Sequence, residues 1–178
     1  MILLKKYSKM KRIFIMSYFL IAFFLLGKAQ DTTSQVEVGD QMPAFTIALD
    51  GGAEIVSSQF EGKVILIAFF ATWCPPCQQE LAEFEKVLWP TYKDNKDFAL
   101  VVIGREHSEA ELIKYNEKKG FTFPLYPDKN RKIYDAFASK FIPRTYLIDK
   151  SGKIVFKTQG FNEKEFTRIQ RVIDNALM

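Results

Sequence analysis

The only two cysteines of this 178-residue chain stand three apart, in Trp73-Cys74-Pro75-Pro76-Cys77. At the start of a helix such a pair has a definite chemistry. The unpaired N–H groups of a first helical turn, with their partial positive charge, stabilise a thiolate, here at Cys74. Cys77, one turn further along, is close enough to close a disulfide with it. Proline in a first turn forfeits no hydrogen bond and stiffens the backbone there. Reversible thiol-disulfide exchange is therefore the leading expectation. A purely structural bridge is weaker, because so short a loop removes only about 2 kcal/mol of unfolded-chain entropy, against about 5 kcal/mol for a hundred-residue loop. A metal site is weaker still, since two thiolates and the lone His107 fall short of the usual Cys/His ligand set. No metal or cofactor is expected beyond the redox-active pair Cys74–Cys77 itself.

The elements around the pair place it at a strand-to-helix junction. Val64 to Phe70 is an unbroken apolar run after Gly62-Lys63, as suits a central strand buried on both faces. Beyond the motif, Cys77, Leu81, Phe84 and Leu88 recur on one helical face, and Pro90 is expected to end or kink that helix. Phe98 to Gly104 predicts a second buried strand, and Ser108-Glu109-Ala110-Glu111 a capping box opening a helix that stops at Gly120. A short strand near Phe123 to Tyr126, a helix around Arg131 to Ser139 and strands at Arg144 to Ile148 and Lys153 to Phe156 follow. Asn162 and Glu165 open the last helix. Upstream, Asp50-Gly51-Gly52 separates two short apolar runs and predicts an N-terminal β-hairpin. Strands alternating with helices give an α/β fold with a parallel core sheet, one antiparallel pair at the four-residue turn near the end, and helices on both faces.

Composition limits the partners. With 48% hydrophobic and 26% charged side chains, the chain suits one globular domain and excludes wholesale disorder. Its net charge of +4 is unevenly placed. Residues 1–29 hold six basic side chains and no acid, and Ile13 to Leu26 is an apolar run broken only by Ser17 and Tyr18, ending in Gly27-Lys28-Ala29. This is the layout of a signal peptide, cleaved after Ala29, directing residues 30–178 to the periplasm or cell envelope. An uncleaved membrane anchor is the alternative, although the run is shorter than the roughly 20 residues of a spanning helix. The remaining domain has 19 basic and 21 acidic residues, a net charge of −2, which removes the main support for a nucleic-acid partner.

Trp-Cys-x-x-Cys after an apolar strand, with Ile142-Pro143-Arg144-Thr145-Tyr146-Leu147-Ile148-Asp149 and Gly152 downstream, resembles the thioredoxin superfamily. The hairpin, the additional αβ segment before Pro143 and the export signal are similar to its envelope branch of TlpA/ResA-type proteins. The resemblance implies a three-layer α/β/α fold with a mixed central sheet. It implies Cys74 as the attacking cysteine, Cys77 as the resolving one and Pro143 as a cis-proline facing them, where the sequence alone would favour trans. Glu80 matches a glutamate near the thiols of many such proteins and is expected to exchange a proton with Cys77; a first-turn glutamate favoured by the helix dipole is the plainer alternative. Ala68 stands where ordinary thioredoxins carry a buried aspartate. Trp73 is expected to pack beside the disulfide and, with Pro75, Pro76, Ile142 and Pro143, to meet substrate. Protein thiols and disulfides are the implied substrates, reduction is the favoured direction, and a membrane-embedded thiol reductant is the implied electron source.

Two rivals share that fold. A peroxiredoxin carries Pro-x-x-x-Thr-x-x-Cys, but Ile67 and Ala71 occupy those places here. A non-catalytic thioredoxin-fold binding module would make both cysteines dispensable. Two further residues have ordinary expectations: His107 as a surface-loop histidine, and Arg144 as an exposed charge at a strand edge.

Overall fold

A computed structural model describes residues 31–178, so the export signal at 1–29 lies outside the described residues. Asp50-Gly51-Gly52 joins β1 (Thr46–Ala48) to β2 (Glu54–Val56), which pair antiparallel as a sheet of their own. Gly51 and Gly52 adopt φ of 92° and 87°, a region open to glycine and strained for other residues.

A five-stranded sheet, in the order β5-β4-β3-β6-β7, forms the centre of the unit Thr33–Met178. Its strands are β3 (Val64–Phe70), β4 (Phe98–Arg105), β5 (Leu125–Asp128), β6 (Arg144–Ile148) and β7 (Ile154–Gln159). All seven residues of β3 are buried, as an apolar run in a central strand requires. They divide by the strand period of two. Val64, Leu66, Ala68 and Phe70 face one core with α1 (Pro75–Glu83), α2 (Glu109–Lys119) and α4 (Glu163–Leu177). Ile65, Ile67 and Phe69 face the other, with α3 (Lys132–Phe137) and the hairpin residues Phe45 and Ile47. The result is a three-layer α/β/α arrangement on a mixed sheet, with the hairpin completing one outer layer. No helix among the described residues is long and apolar enough to cross a membrane.

The capping signals hold where their chemistry is local. Ser108 and Glu111 exchange both bonds of the capping box, Gly120 closes α2 in the left-handed conformation, and Asn162 accepts the Glu165 N–H at 2.9 Å. The structure departs from the sequence reading where longer-range packing decides. The five-stranded sheet has two antiparallel pairings, because β6 runs antiparallel to β3 as well as to β7; periodicity carries no information on the direction in which a returning strand docks. Pro90 does not end its helix. The backbone widens over Phe84–Leu88, with the Trp89 N–H bonded to the carbonyl of Phe84, and one more turn follows at Trp89–Tyr92. Such a π-helical stretch makes room for a ring that an α-helical turn would reject. The strand expected near Phe123 begins at Leu125, because Phe123 is a core residue packed against Phe84, Trp89 and Phe121; Pro127 is tolerated since β5 is an edge strand.

Arg144 is not an exposed charge at a strand edge. It is fully buried, because β6 lies between two strands and offers no edge. Its guanidinium donates to the carbonyl of Lys140 at 3.1 Å, to Gln159 Oε1 at 2.9 Å and to Thr33 Oγ1, tying the first described segment to β6 and β7.

Candidate functional site

The loop Ala71–Cys74 carries the chain from the buried end of β3 into α1, and Cys74 is the N-cap of that helix. Cys74 and Cys77 form a disulfide with an S–S distance of 2.11 Å and a Cα–Cα distance of 5.3 Å. Cys74 Sγ also lies 3.3 Å from the Cys77 N–H, so the sulfur occupies the place where a capping oxygen would accept a hydrogen bond. A thiolate there meets the positive end of α1 directly. Pro75 and Pro76 fill the first turn and are exposed, whereas Cys77 is fully buried. Cys74 keeps 4% of its surface, so of the two sulfurs it is the one nearer the solvent.

Opposite the pair, the Ile142 carbonyl oxygen stands 3.9 Å from Cys74 Sγ, and the Ile142–Pro143 peptide bond is cis. Residues far apart in sequence therefore meet at one sulfur. Around them the surface is apolar: Trp73 is 63% and Phe141 55% exposed. Trp73 is largely exposed to solvent. The Arg105 guanidinium stands 5.8 Å from its ring centroid. Phe141 escaped the sequence reading. Its backbone adopts φ of 69°, held by the Tyr134 hydroxyl, which donates to its carbonyl at 2.5 Å. The only hint in the sequence is its place two residues before Pro143.

Glu80 lies in the second turn of α1 and is buried, not a solvated first-turn side chain. Its Oε1 accepts the Thr145 hydroxyl at 2.7 Å, while Oε2 has no hydrogen-bond partner among the described residues. Burial penalises the charged carboxylate and pushes its pKa up from 4.5 to about 8, against a smaller lowering by Thr145. A neutral carboxyl one helical turn from Cys77 can give a proton to a departing thiolate and take it back. Thr145 was invisible as a site residue. It pairs in register with Ala68, so the small alanine side chain and the threonine hydroxyl sit side by side under α1. Thr145→Val keeps the shape and removes the donor. Because the carboxyl then loses its one protein partner, the variant is expected to unfold about 1–3 kcal/mol more easily, with Glu80 shifted further upward; denaturant titration and carboxyl NMR check both.

His107 is also buried rather than a surface-loop side chain. The Thr72 N–H donates to its Nε2 at 3.0 Å, and the Thr72 carbonyl accepts from Gln78 Nε2 at 2.8 Å. Burial lowers its pKa, outweighing Glu111 and Glu106, which raise it.

Comparison with known proteins agrees with this geometry. The profile of the AhpC/TSA family matches residues 38–157. The thiol-disulfide oxidoreductase ResA of Geobacillus thermodenitrificans is 32% identical over 131 residues, spanning 73% of this chain and 74% of that protein. ResA of Bacillus thuringiensis is 28% identical over 131 residues, with 74% and 75% coverage. Among solved structures, a candidate protein disulfide isomerase from Bacteroides thetaiotaomicron superposes with a TM-score of 0.76 at 36% identity, covering 82% of this chain and 92% of its own. A candidate thiol:disulfide interchange protein DsbE from Chlorobium tepidum follows with a TM-score of 0.68 at 25% identity, covering 80% and 99%. With a strand-to-helix cysteine pair facing a cis-proline on a thioredoxin-like sheet, the chain belongs to the AhpC/TSA family, as a thiol-disulfide oxidoreductase.

Proposed function

We propose that the protein is exported to the cell envelope and there reduces disulfides of protein substrates. The observation that carries the reading is the placement of Cys74: N-cap of α1, joined to buried Cys77, with the Ile142 carbonyl 3.9 Å from its sulfur. In the reduced protein the Cys74 thiolate attacks one sulfur of a substrate disulfide, forming a mixed disulfide and expelling the other substrate sulfur as a thiolate. Cys77 then attacks Cys74, closing the bridge and releasing the second substrate thiolate. Two electrons pass to the substrate, and Glu80 supplies or removes a proton at Cys77. Substrate backbone pairs beside the segment preceding Pro143 as a short added strand. Trp73, Pro75, Pro76 and Phe141 form the exposed rim it crosses.

The reducing direction rests on the likeness to TlpA/ResA-type proteins, and it requires a membrane-embedded thiol donor to reopen the bridge after each turnover. Export rests on the basic, then apolar, character of residues 1–29. The reduction potential of the Cys74/Cys77 pair tests the direction. A value near thioredoxin's, about −270 mV, is expected; one near −120 mV would mark a strong oxidant and reverse the reading. Cys77→Ala, expressed with its leader, is expected to accumulate mixed disulfides with envelope proteins, visible as thiol-sensitive bands; bands confined to cytoplasmic proteins would overturn the location.

A further inference from the structure

His107 reaches the redox loop through a run of backbone with few alternatives. Glu106 adopts φ of 66°, a left-handed conformation that a glutamate enters at a cost, and its N–H is held by the carbonyl of Asp128 at 3.0 Å. The chain turns back, so that the His107 N–H donates to the Gly104 carbonyl at 3.2 Å. Gly104 leaves the room for this return. A Cβ there would stand 2.6 Å from Leu112 Cδ2 and 3.3 Å from His107 Cβ. His107 then accepts the Thr72 N–H on Nε2.

The C-terminal end of α2 bears on the other side of Thr72 through Gln78 of α1. Lys119, in the last turn of α2, donates to Gln78 Oε1 at 3.0 Å, and Gln78 donates to the Thr72 carbonyl. Both backbone polar groups of Thr72, two residues before Cys74, are therefore held, the N–H by His107 just ahead of α2 and the carbonyl by Gln78 of α1, which Lys119 holds in turn. Next to it, the Cys74 N–H closes the turn onto the Ala71 carbonyl at 3.1 Å.

A lone N–H donor aimed at Nε2 requires a lone pair on that nitrogen, which assigns a neutral imidazole with its proton on Nδ1. Protonation would set one N–H against another. We propose that neutral His107 is a positioning residue for Cys74, holding the Ala71–Cys74 turn in the attacking geometry and releasing it when the imidazole is protonated. This inference rests on Cys74 being the attacking thiol. The charged groups facing His107 are Glu111 of α2 and Glu106, which favour protonation, and Arg105, which opposes it. Lys129 in turn acts on Glu111, the loop contributes Cys74 as its own titratable group, and α1 presents neutral Gln78. Burial outweighs the two carboxylates and keeps the imidazole below its usual 6.5, so the turn is held at neutral pH and loosens in acid.

The test is the second-order rate of the reduced protein with insulin disulfides in single turnover, followed against pH. His107→Gln places an amide oxygen near the position of Nε2 and cannot titrate there; His107→Leu removes the acceptor. At pH 8, His107→Gln is expected within about threefold of wild type and His107→Leu about fivefold slower, the size of one lost hydrogen bond. Below the imidazole pKa the wild-type rate is expected to fall relative to His107→Gln and to level off at a deficit of about fivefold or somewhat more, the scale of the His107→Leu loss. Identical pH profiles for wild type and His107→Gln would overturn the proposal. Should His107→Leu not fold, NMR on wild type decides: the Thr72 amide must titrate with the His107 ring, and an indifferent Thr72 amide sinks the idea. Retained activity in Cys74→Ser would instead sink the exchange reading and leave the NMR result on His107 standing.

Discussion

Cys74→Ser is expected to bring the single-turnover rate on a protein disulfide down to the uncatalysed level while the fold survives. The chemistry needs a thiolate, and a serine hydroxyl in the same place is neither ionised nor able to form the mixed disulfide. The fold should tolerate the loss, because a bridge closing so short a loop contributes only about 2 kcal/mol. Circular dichroism and a melt separate the two effects. The same variant divides the rival readings. A binding module that keeps only the thioredoxin shell would hold its partner equally well after replacement of both Cys74 and Cys77. A thiol peroxidase would turn over peroxide faster than it reduces disulfides, and Ile67 and Ala71 leave the peroxiredoxin positions before Cys74 unfilled. Retention of full reductase activity in Cys74→Ser would end the proposed mechanism.

Glu80→Gln is expected to remove most of the pH dependence of stability between pH 5 and 8. In the unfolded chain Glu80 titrates near 4.5, and in the native protein at about 8. Between these values the native state keeps a proton that the unfolded chain has released. The associated stability is complete below 4.5 and is lost as pH rises through the native pKa. Across the whole window this amounts to on the order of 5 kcal/mol, an upper figure given that water entry relaxes a buried charge. Glutamine can still accept the Thr145 hydroxyl and never ionises, so its stability curve should lack the descent with rising pH that wild type shows. Parallel curves for the two proteins would show that Glu80 is not held neutral. In exchange, the variant should slow the step that moves a proton at Cys77 by roughly a hundredfold, the usual scale of general acid-base assistance. Slowing confined to the resolving step, with the first attack by Cys74 unchanged, is the signature of that role.

The imidazole acts with the opposite sign. A lowered native pKa means that the unfolded chain takes up a proton first, so His107 withdraws stability as pH falls below 6.5. The two buried groups therefore oppose each other across the acid side of neutrality. Glu80→Gln should leave the His107 contribution exposed, with stability that rises with pH.

Local chemistry made much of this protein legible from its residues. Ser108 with Glu111, Gly120, and Asn162 with Glu165 specify helix ends through bonds that span only a few residues. The apolar run Val64–Phe70 specifies a strand buried on both faces, and the Cys-Pro-Pro-Cys spacing at its end specifies a redox pair, because helix-terminus polarity acts within one turn. Glu80 was nameable only through a family likeness. Its protonation depends on what packs around it, which no spacing reveals.

What the tertiary structure decided lies across elements. Arg144 changed from an exposed edge charge to a buried clamp once β6 took its place between β3 and β7. Thr145 became the partner of Glu80 through a strand register with Ala68, and His107 became the holder of Thr72 through a left-handed turn and the space left by Gly104. The two cysteines and their helix were determined by the sequence by itself, since a reactive pair needs only its own turn of backbone. The protonation of Glu80 and the hold on the turn before Cys74 were decided by tertiary packing, because desolvation and a buried hydrogen bond arise only when distant segments close over the same few atoms.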